Sequence, residues 1–541
     1  MVYETNLNLN NEVELILYCA RTNCDDEVKQ KISYLLHEDI NWIYLLQKAR
    51  IHEVMPLLYW NLKDFDEVPN IISDYLKIQF EENIKKNLIL TGDMFKVLNL
   101  LKSNNINAIP YKGSSLAILA YGNLALRSFE DIDVFVQEGD VKKVKKLLSS
   151  NGYVMDFDLD SRKEDFFLKH QREFKFKNEN GVIIEVHWKI PGLGFSFPYK
   201  VEDNLETNYV TINGHKILNF SVYDLLLILF IHAAGHYWVK IKWICDIVEV
   251  INNHDNLNWN ILIAKAKKLG IKRIMLISLF LANDLLDLRL PEIVSNEVKE
   301  DNKIEQIVNK IKNRINSRED YGFTIFNEAL LKLRMREDLF NGIKDSFKVS
   351  VVPDYKDLED IKLPSSLIPL YYLYRPIRLL KNYNLFSTNK FSIFDPTPTF
   401  VVDKMLEIAN IGPDDVLYDL GCGDGRIVIN AAKKYGIRAV GIDIDPKRIK
   451  ESKKNAIKEG VEDLTEFINK DALKVDLSQA TIVTLYLYPS FLRKLSSKFK
   501  RELCSNSRIV AHGFEIIDWK PIDTQIVRYD DLISGIYLYK T

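Results

Sequence analysis

The stretch Val416–Asp445 reads VLYDLGCGDGRIVINAAKKYGIRAVGIDID. Its apolar opening, Val416–Tyr418, has the composition of a strand and runs into Asp419. Glycines alternate at Gly421, Gly423 and Gly425; a helical pattern then leads to a second apolar run, Ala439–Ile442, closed by Asp443. Strand, tight turn, helix and a second strand ending in an acid form the opening unit of a doubly wound α/β sheet. Asp443 lies about 20 residues past the glycines, where dinucleotide folds carry a ribose-binding carboxylate. The spacing, however, is G-x-G-x-G. The G-x-G-x-x-G turn that seats a pyrophosphate on a helix N-terminus is not met. Asp419 ahead of the turn and Asp424 inside it would repel a pyrophosphate and attract a sulfonium and an amino group.

These residues resemble motif I of the class I S-adenosylmethionine (SAM) methyltransferases. From Pro396 onward strands and helices alternate, which predicts a Rossmann-like α/β domain over residues 396–541 with a largely parallel sheet. The last two strands, near Gln525–Tyr529 and Gly535–Tyr539, are expected to form an antiparallel edge pair. The resemblance implies that Asp419 and the turn Gly421-Cys422-Gly423 face the methionine moiety of SAM. It implies further that Asp443 accepts from both ribose hydroxyls and that Asp471 accepts from the adenine amino group. Thr484 opens the run TLYLYP that ends the fourth strand at the reaction centre, with Tyr486, Tyr488 and Pro489 as the catalytic candidates. That run lacks the [D/N]-P-P-[Y/F] found in many methyltransferases of planar amide or base nitrogens. Together with TPTFVVDKMLEIANI and FEIIDWKP it resembles the small lysine methyltransferases that act on the mitochondrial ATP synthase and the adenine nucleotide translocase, which have prokaryotic relatives. The acceptor implied is an amine such as a protein lysine, although the prokaryotic relatives can have other acceptors. Tyr486 and Tyr488 would shape its channel by cation–π contact or hydrogen bonding, and ordinary strand packing is an equal reading. His512 reads as a satisfied structural histidine.

Residues 1 to about 105 carry helical periodicity and no visible ligand chemistry. Beyond them, Ala108–Tyr111 reads as a short strand and Lys112-Gly113-Ser114 opens a helix. The alternation in Asp131–Val136 puts Asp131 and Asp133 on one face of a strand, where two carboxylates repel unless they share a cation. Val182–Trp188 is another strand, with Glu185 a third carboxylate. The ordered segments YKGSSLAILAYG, LRSFEDIDVFV, IIEVHW, DLLLILFIHAAGHYWVKIKWICDI and LPSSLIPLYYLYRPIRLLKNY resemble the nucleotidyltransferase family 5 group of the nucleotidyltransferase superfamily. That resemblance implies a helix-rich α+β module over residues 1–385, with its core at about 105–190. Nucleotide phosphate would lie near Lys112, Gly113 and Ser114. Mg²⁺ would be held by Asp131, Asp133 and Glu185, with a nucleoside triphosphate as co-substrate. Two other readings stay open: strand-end charges bonded to Arg127 and Lys112, or a silent scaffold that recruits substrate. His232 and His236, four residues apart, suit a metal but lack the H-E-x-x-H glutamate, so a histidine pair packed beside Trp238 and Trp243 is preferred. Tyr371–Tyr383 reads as a helix broken or kinked at Arg375-Pro376, and residues 386–395 as the linker.

Composition sets outer bounds. Lys+Arg 73 against Asp+Glu 75 gives a net charge of −2, so no global bias toward nucleic acid or membrane is evident. The 5 cysteines are scattered without C-x-x-C spacing, which favours a reduced, cytoplasmic setting. The opening MVYETNLNLNNEVELIL has no basic and apolar leader pattern, and no apolar run is long enough to span a bilayer.

Overall fold

The computed structural model describes residues 9–155, 161–190, 205–212, 214–317, 325–361, 363–382, 395–529 and 532–541. The chain divides into two compact units, one of Met1–Asn316 and Gly322–Phe386, the other of Ser317–Tyr321 and Ser387–Thr541. Of the expected linker at 386–395, only Asp395 falls among the described residues.

The first unit opens with helices Asn11–Cys19, Asp26–Leu36, Trp42–Ile51 and Met55–Leu62, then the long Asn70–Ser103. Their starts are chemically marked: Asp25 accepts from Val28 N and Asn41 from Tyr44 N, each satisfying a first-turn N–H. The strands that follow are β1 (Ala108–Pro110), β2 (Asp131–Val136), β3 (Val154–Met155), β4 (Glu173–Lys177) and β5 (Ile183–His187), in sheet order β1-β2-β5-β4-β3. β2 and β5 are parallel and the other pairs antiparallel. Alternation along β2 and β5 turns Ile132, Val134, Val136, Ile184 and Val186 into the core shared with Leu90, Met94, Val97 and Leu101 of the long helix. Each such burial stabilises by about 1.5–3 kcal/mol before chain entropy is counted. The opposite face is left with Asp131, Asp133, Glu185 and His187. A hairpin of β6 (Thr207–Ile212) and β7 (His215–Phe220), like the short β3, has no counterpart in the sequence reading. Helices then continue, among them Val222–Gly235, Ile241–Asn252, Lys272–Leu286 and Asn302–Asn316.

Of the kink or break expected at Arg375-Pro376, the break is not observed: one helix runs Tyr371–Asn382 with Pro376 inside it. Buried ion pairs anchor this segment, Arg378 Nε on Asp357 at 2.6 Å and Arg375 Nη1 on the same carboxylate at 3.1 Å. Tertiary charge pairing thus outweighs the local penalty of the proline.

The second unit holds seven strands: β8 (Val416–Leu420), β9 (Arg438–Asp443), β10 (Thr465–Asn469), β11 (Ile482–Leu485), β12 (Arg508–His512), β13 (Asp523–Tyr529) and β14 (Leu532–Lys540). Their order is β10-β9-β8-β11-β12-β14-β13. β8 to β12 are parallel, and β14 and β13 close the sheet antiparallel, as the sequence predicts. Helices Thr399–Ile408 and Arg426–Tyr435 pack Val402, Met405 and Val428 with Leu417, Ile482 and Val510. Helix Pro489–Glu502 covers the other core cluster through Leu492, Leu495 and Phe499, against Leu420, Val483 and Ile509. Strand order reverses between β8 and β11, the crevice where such sheets bind ligands. No helix among the described residues is long and apolar enough to cross a membrane.

Candidate functional site

The glycine turn leaves the end of β8 in a left-handed backbone, with φ of 87° at Gly421, 53° at Gly423 and 84° at Gly425. L-residues rarely adopt such angles, which is why glycines alternate here. Gly421 N and Cys422 N donate to Ile442 O at 2.8 and 3.0 Å, tying the turn to β9. Asp443, at the end of β9, accepts from Gly423 N at 2.9 Å and from Asp445 N at 2.8 Å. Each of its oxygens keeps a lone pair for a hydroxyl donor.

Asp419 is buried and accepts from Thr484 Oγ1 at 2.9 Å. Burial pushes its carboxyl up to about 7, an effect the Thr484 hydroxyl opposes. A buried acid held this way gains from a cationic neighbour. The sequence reading gave Asp424 a similar part, and here it needs correcting. Its carboxylate is occupied by Arg426 Nη2 at 2.6 Å, while Arg426 Nη1 donates to Thr397 O at 2.8 Å. Asp424 therefore fastens the turn to the segment before helix Thr399–Ile408. Cys422 is buried, and burial drives its thiol far above the usual range. Asp471, just past β10, caps Leu473 N at 3.0 Å and is half-buried.

At the end of β11, pairing of Leu485 with Ala511 sets Tyr486 beside His512, ring centroids 4.3 Å apart. The Tyr486 hydroxyl donates to Asp395 at 3.2 Å. Tyr488 is exposed, 6.1 Å from Phe514, and Pro489 begins the next helix. His512 is not the satisfied histidine expected: it is 1% exposed, and neither ring nitrogen has a hydrogen-bond partner among the described residues. Burial lowers it to about 4, so the ring is neutral at pH 7.

In the first unit, Lys112 precedes helix Gly113–Tyr121, and its ammonium donates to Asp133 Oδ1 at 3.1 Å. Gly113 backs onto Asp131 O, 3.3 Å from where a Cβ would stand. Ser114 turns inward, its hydroxyl 2.7 Å from Thr91 Oγ1. His187 Nε2 also meets Asp133 Oδ1, at 2.9 Å, and Lys175 pairs with Glu185. Asp133 and Glu185 are thus brought together, with His187 as the partner the sequence reading missed. Desolvation, aided by the charges of Asp133 and Glu185, pushes Asp131 up to about 6. Lys112 and His187 hold Asp133 below the usual carboxylate range against its burial. His187, despite burial, is raised to about 9 by Asp133 and Glu185. Arg127 lies elsewhere, on Asp246. His232 and His236 pack against Trp243 at 5.5 and 4.8 Å and form no metal group among the described residues.

Residues 38–287 match the family model described as an uncharacterised nucleotidyltransferase, and residues 419–523 the one described as the ANTKMT methyltransferase domain. A protein-lysine N-methyltransferase of Saccharolobus islandicus (strain REY15A) is 42% identical over 145 residues, covering 27% of this chain and 90% of that protein. A lysine N-methyltransferase of the ATP synthase, from Homo sapiens, is 40% identical over 105 residues, 19% of this chain and 45% of that protein. The chain thus spans about half the length of the human relative. A solved structure, of an RNA methyltransferase from Salinibacter ruber with S-adenosyl-L-homocysteine, is 45% identical, covering 27% of this chain and 93% of that one, at a TM-score of 0.26. Matching nine-tenths of the Saccharolobus protein through its C-terminal part, the chain belongs to that protein's family, the SAM-dependent methyltransferases.

Proposed function

We propose that this chain methylates the side-chain amine of a protein lysine. The observation that carries this reading is the 42% identity to a protein-lysine N-methyltransferase over 90% of that relative. In it, Asp419, Gly421, Cys422, Gly423, Asp443, Asp471 and Thr484 hold SAM, which supplies a methyl group on a sulfonium sulfur. Transfer requires alignment and an uncharged amine more than an acid–base pair. The neutral His512 and the phenol of Tyr486, which burial keeps protonated, line the acceptor side without adding a cation. Tyr486, Tyr488 and Pro489 form its wall, and Asp395, hydrogen-bonded to Tyr486, offers an arriving ammonium a carboxylate.

Two experiments test it. Calorimetric titration should show SAM binding that Asp443→Ala weakens by about 10- to 100-fold, the range for losing charge-assisted hydrogen bonds. No binding by the wild type, or equal binding by the variant, removes the cofactor assignment. Comparing the methyl-lysines of cells with and without the gene should reveal a protein site that loses its methyl group; label found only in RNA refutes the lysine reading.

The acid Asp419 also predicts a pH dependence. Its raised value belongs to the cofactor-free protein, so below about pH 7 a cation must displace a proton to bind. SAM affinity should weaken as pH falls below 7, approaching about tenfold per unit, since one proton is linked to binding. Asp419→Asn should bind more weakly with a flat profile between pH 5 and 8. An unchanged slope in that variant assigns the dependence to another group.

For the N-terminal unit the reading is Mg²⁺-dependent nucleotidyl transfer, supported by the carboxylate face beside the Lys112–Ser114 turn. Transfer of label from nucleoside triphosphates, lost in Asp133→Asn, would bear it out. Ammonium groups already paired with Asp133 and Glu185 favour the other possibility, a recruitment scaffold. Undiminished cellular methylation by Asp133→Asn, with loss on deleting residues 1–385, would select it. Domain limits of 1–385 and 396–541 follow from these readings. A cytoplasmic location fits cysteines that are all unpaired.

A further inference from the structure

β2 and β5 bring more than the two aspartates of the D-x-D strand to one face. They run parallel with Asp133 opposite Glu185, and period-two alternation sets His187 on the same side. One ligand atom from each of Asp133, Glu185 and His187 lies within 4.8 Å of the other two, and all three side chains are buried. Asp131, opposite Ile183, does not join this group. A second observation comes from Tyr111, which stands edge-on to His187 at 5.6 Å. Its hydroxyl is buried and has no hydrogen-bond partner among the described residues. A buried hydroxyl without a partner is costly, and a hydrated ion beside it would satisfy it.

We propose that Asp133, Glu185 and His187 hold a first-row transition-metal dication, in preference to Mg²⁺. The preference follows from the donors. Mg²⁺ takes oxygen ligands and keeps several waters, whereas an imidazole nitrogen with two carboxylates suits softer ions. Two competitors must leave: the ammonium of Lys112, which shares Asp133 Oδ1 with His187, and the ring proton of His187, which metal binding releases. A dication brings twice the charge of an ammonium to the same carboxylate, and removing the ammonium should strengthen metal uptake. The inference concerns the cation alone. Metal uptake without label transfer defeats the nucleotidyl-transfer reading and leaves this one standing; transfer that runs on Mg²⁺ without Mn²⁺ uptake does the reverse.

The test uses the full chain, stripped with EDTA and titrated with MnCl₂ while the electron paramagnetic resonance signal of free Mn²⁺ is followed. The expected result is uptake of a single Mn²⁺ that persists in excess MgCl₂, with ¹⁴N modulation of the bound ion's spin echo from a coordinated imidazole. His187→Ala should abolish that modulation and weaken uptake by at least about tenfold, as should Glu185→Gln. Asp131→Asn, which removes a neighbouring charge but no ligand, should weaken uptake less than Glu185→Gln does, and Lys112→Met should tighten it. Thermal melts in EDTA check that each variant folds. If His187→Ala does not, the wild-type spin echo and the Glu185 and Lys112 variants carry the test. No uptake by the wild type, displacement by equimolar Mg²⁺, absence of ¹⁴N modulation, or a loss in Asp131→Asn as large as in Glu185→Gln overturns the proposal.

Discussion

Asp246→Ala lowers the stability of the N-terminal unit by about 3–5 kcal/mol, the usual loss when one partner of a buried ion pair is removed. Asp246 lies on helix Ile241–Asn252 and is 1% exposed. It accepts from Arg127 Nε at 2.8 Å and Nη2 at 2.9 Å, a two-pronged contact, and from the Tyr121 hydroxyl at 2.7 Å. Truncation leaves the guanidinium of Arg127 in the interior with no counter-charge and the phenol of Tyr121 with no acceptor. Both consequences act in the same direction, and neither group reaches water without local unfolding. The double change Arg127→Met/Asp246→Leu, which removes the charges and keeps the volume, should recover most of the loss. Urea unfolding followed by tryptophan fluorescence measures both, since Trp238 and Trp243 lie in this unit. A shift of under about 1 kcal/mol for the single variant would mean that water reaches the pair.

Gly425→Ala should destabilise the C-terminal unit by about 2–4 kcal/mol, combining left-handed backbone strain with overpacking. At φ of 84° an added Cβ would stand 2.8 Å from Ser452 Cβ and 2.9 Å from Phe467 Cε1, and both residues are buried. Gly436→Ala is the control. Its φ of 67° imposes a similar backbone penalty, yet nothing lies within 4 Å of the added atom. The gap between the two melting temperatures isolates the clash, and equal shifts would refute the tight packing of turn against helix Pro446–Glu459. Because the same turn is tied to β9, Gly425→Ala should also weaken SAM binding more than Gly436→Ala does.

The methyltransferase fold was legible because its signals are local. Glycine spacing, strand periodicity and the acid closing β9 all fall within thirty or so residues, and the sheet repeats the same alternation. Period-two reasoning likewise put Asp131 and Asp133 on one face. Applied to Ile183–His187 it pairs Glu185 with His187 by the same rule, so His187 was readable and missed. Other features lay out of reach. Arg127 was matched to the nearest acids in sequence, whereas its partner Asp246 is separated from it by 119 residues and arrives only with the tertiary fold. The uninterrupted helix at Pro376 depends on Asp357, an ion-pair partner outside the proline's own turn. His512 looked satisfied because buried histidines ordinarily are. Its isolation arises from the neighbouring Tyr486 ring, which covers it while spending its own hydroxyl on Asp395.

The burial of Cys422 has a practical consequence for labelling. Desolvation keeps the thiols of Cys19, Cys245 and Cys422 protonated, and Cys24, half-covered, is also raised. Only thiolates attack maleimides at a useful rate. Cys504 is the one exposed cysteine, on the far side of helix Pro489–Glu502 in sequence from Tyr486. A dye added at neutral pH should therefore settle on Cys504 without alkylating the glycine turn, giving the native chain a single fluorescent reporter with no engineered residue.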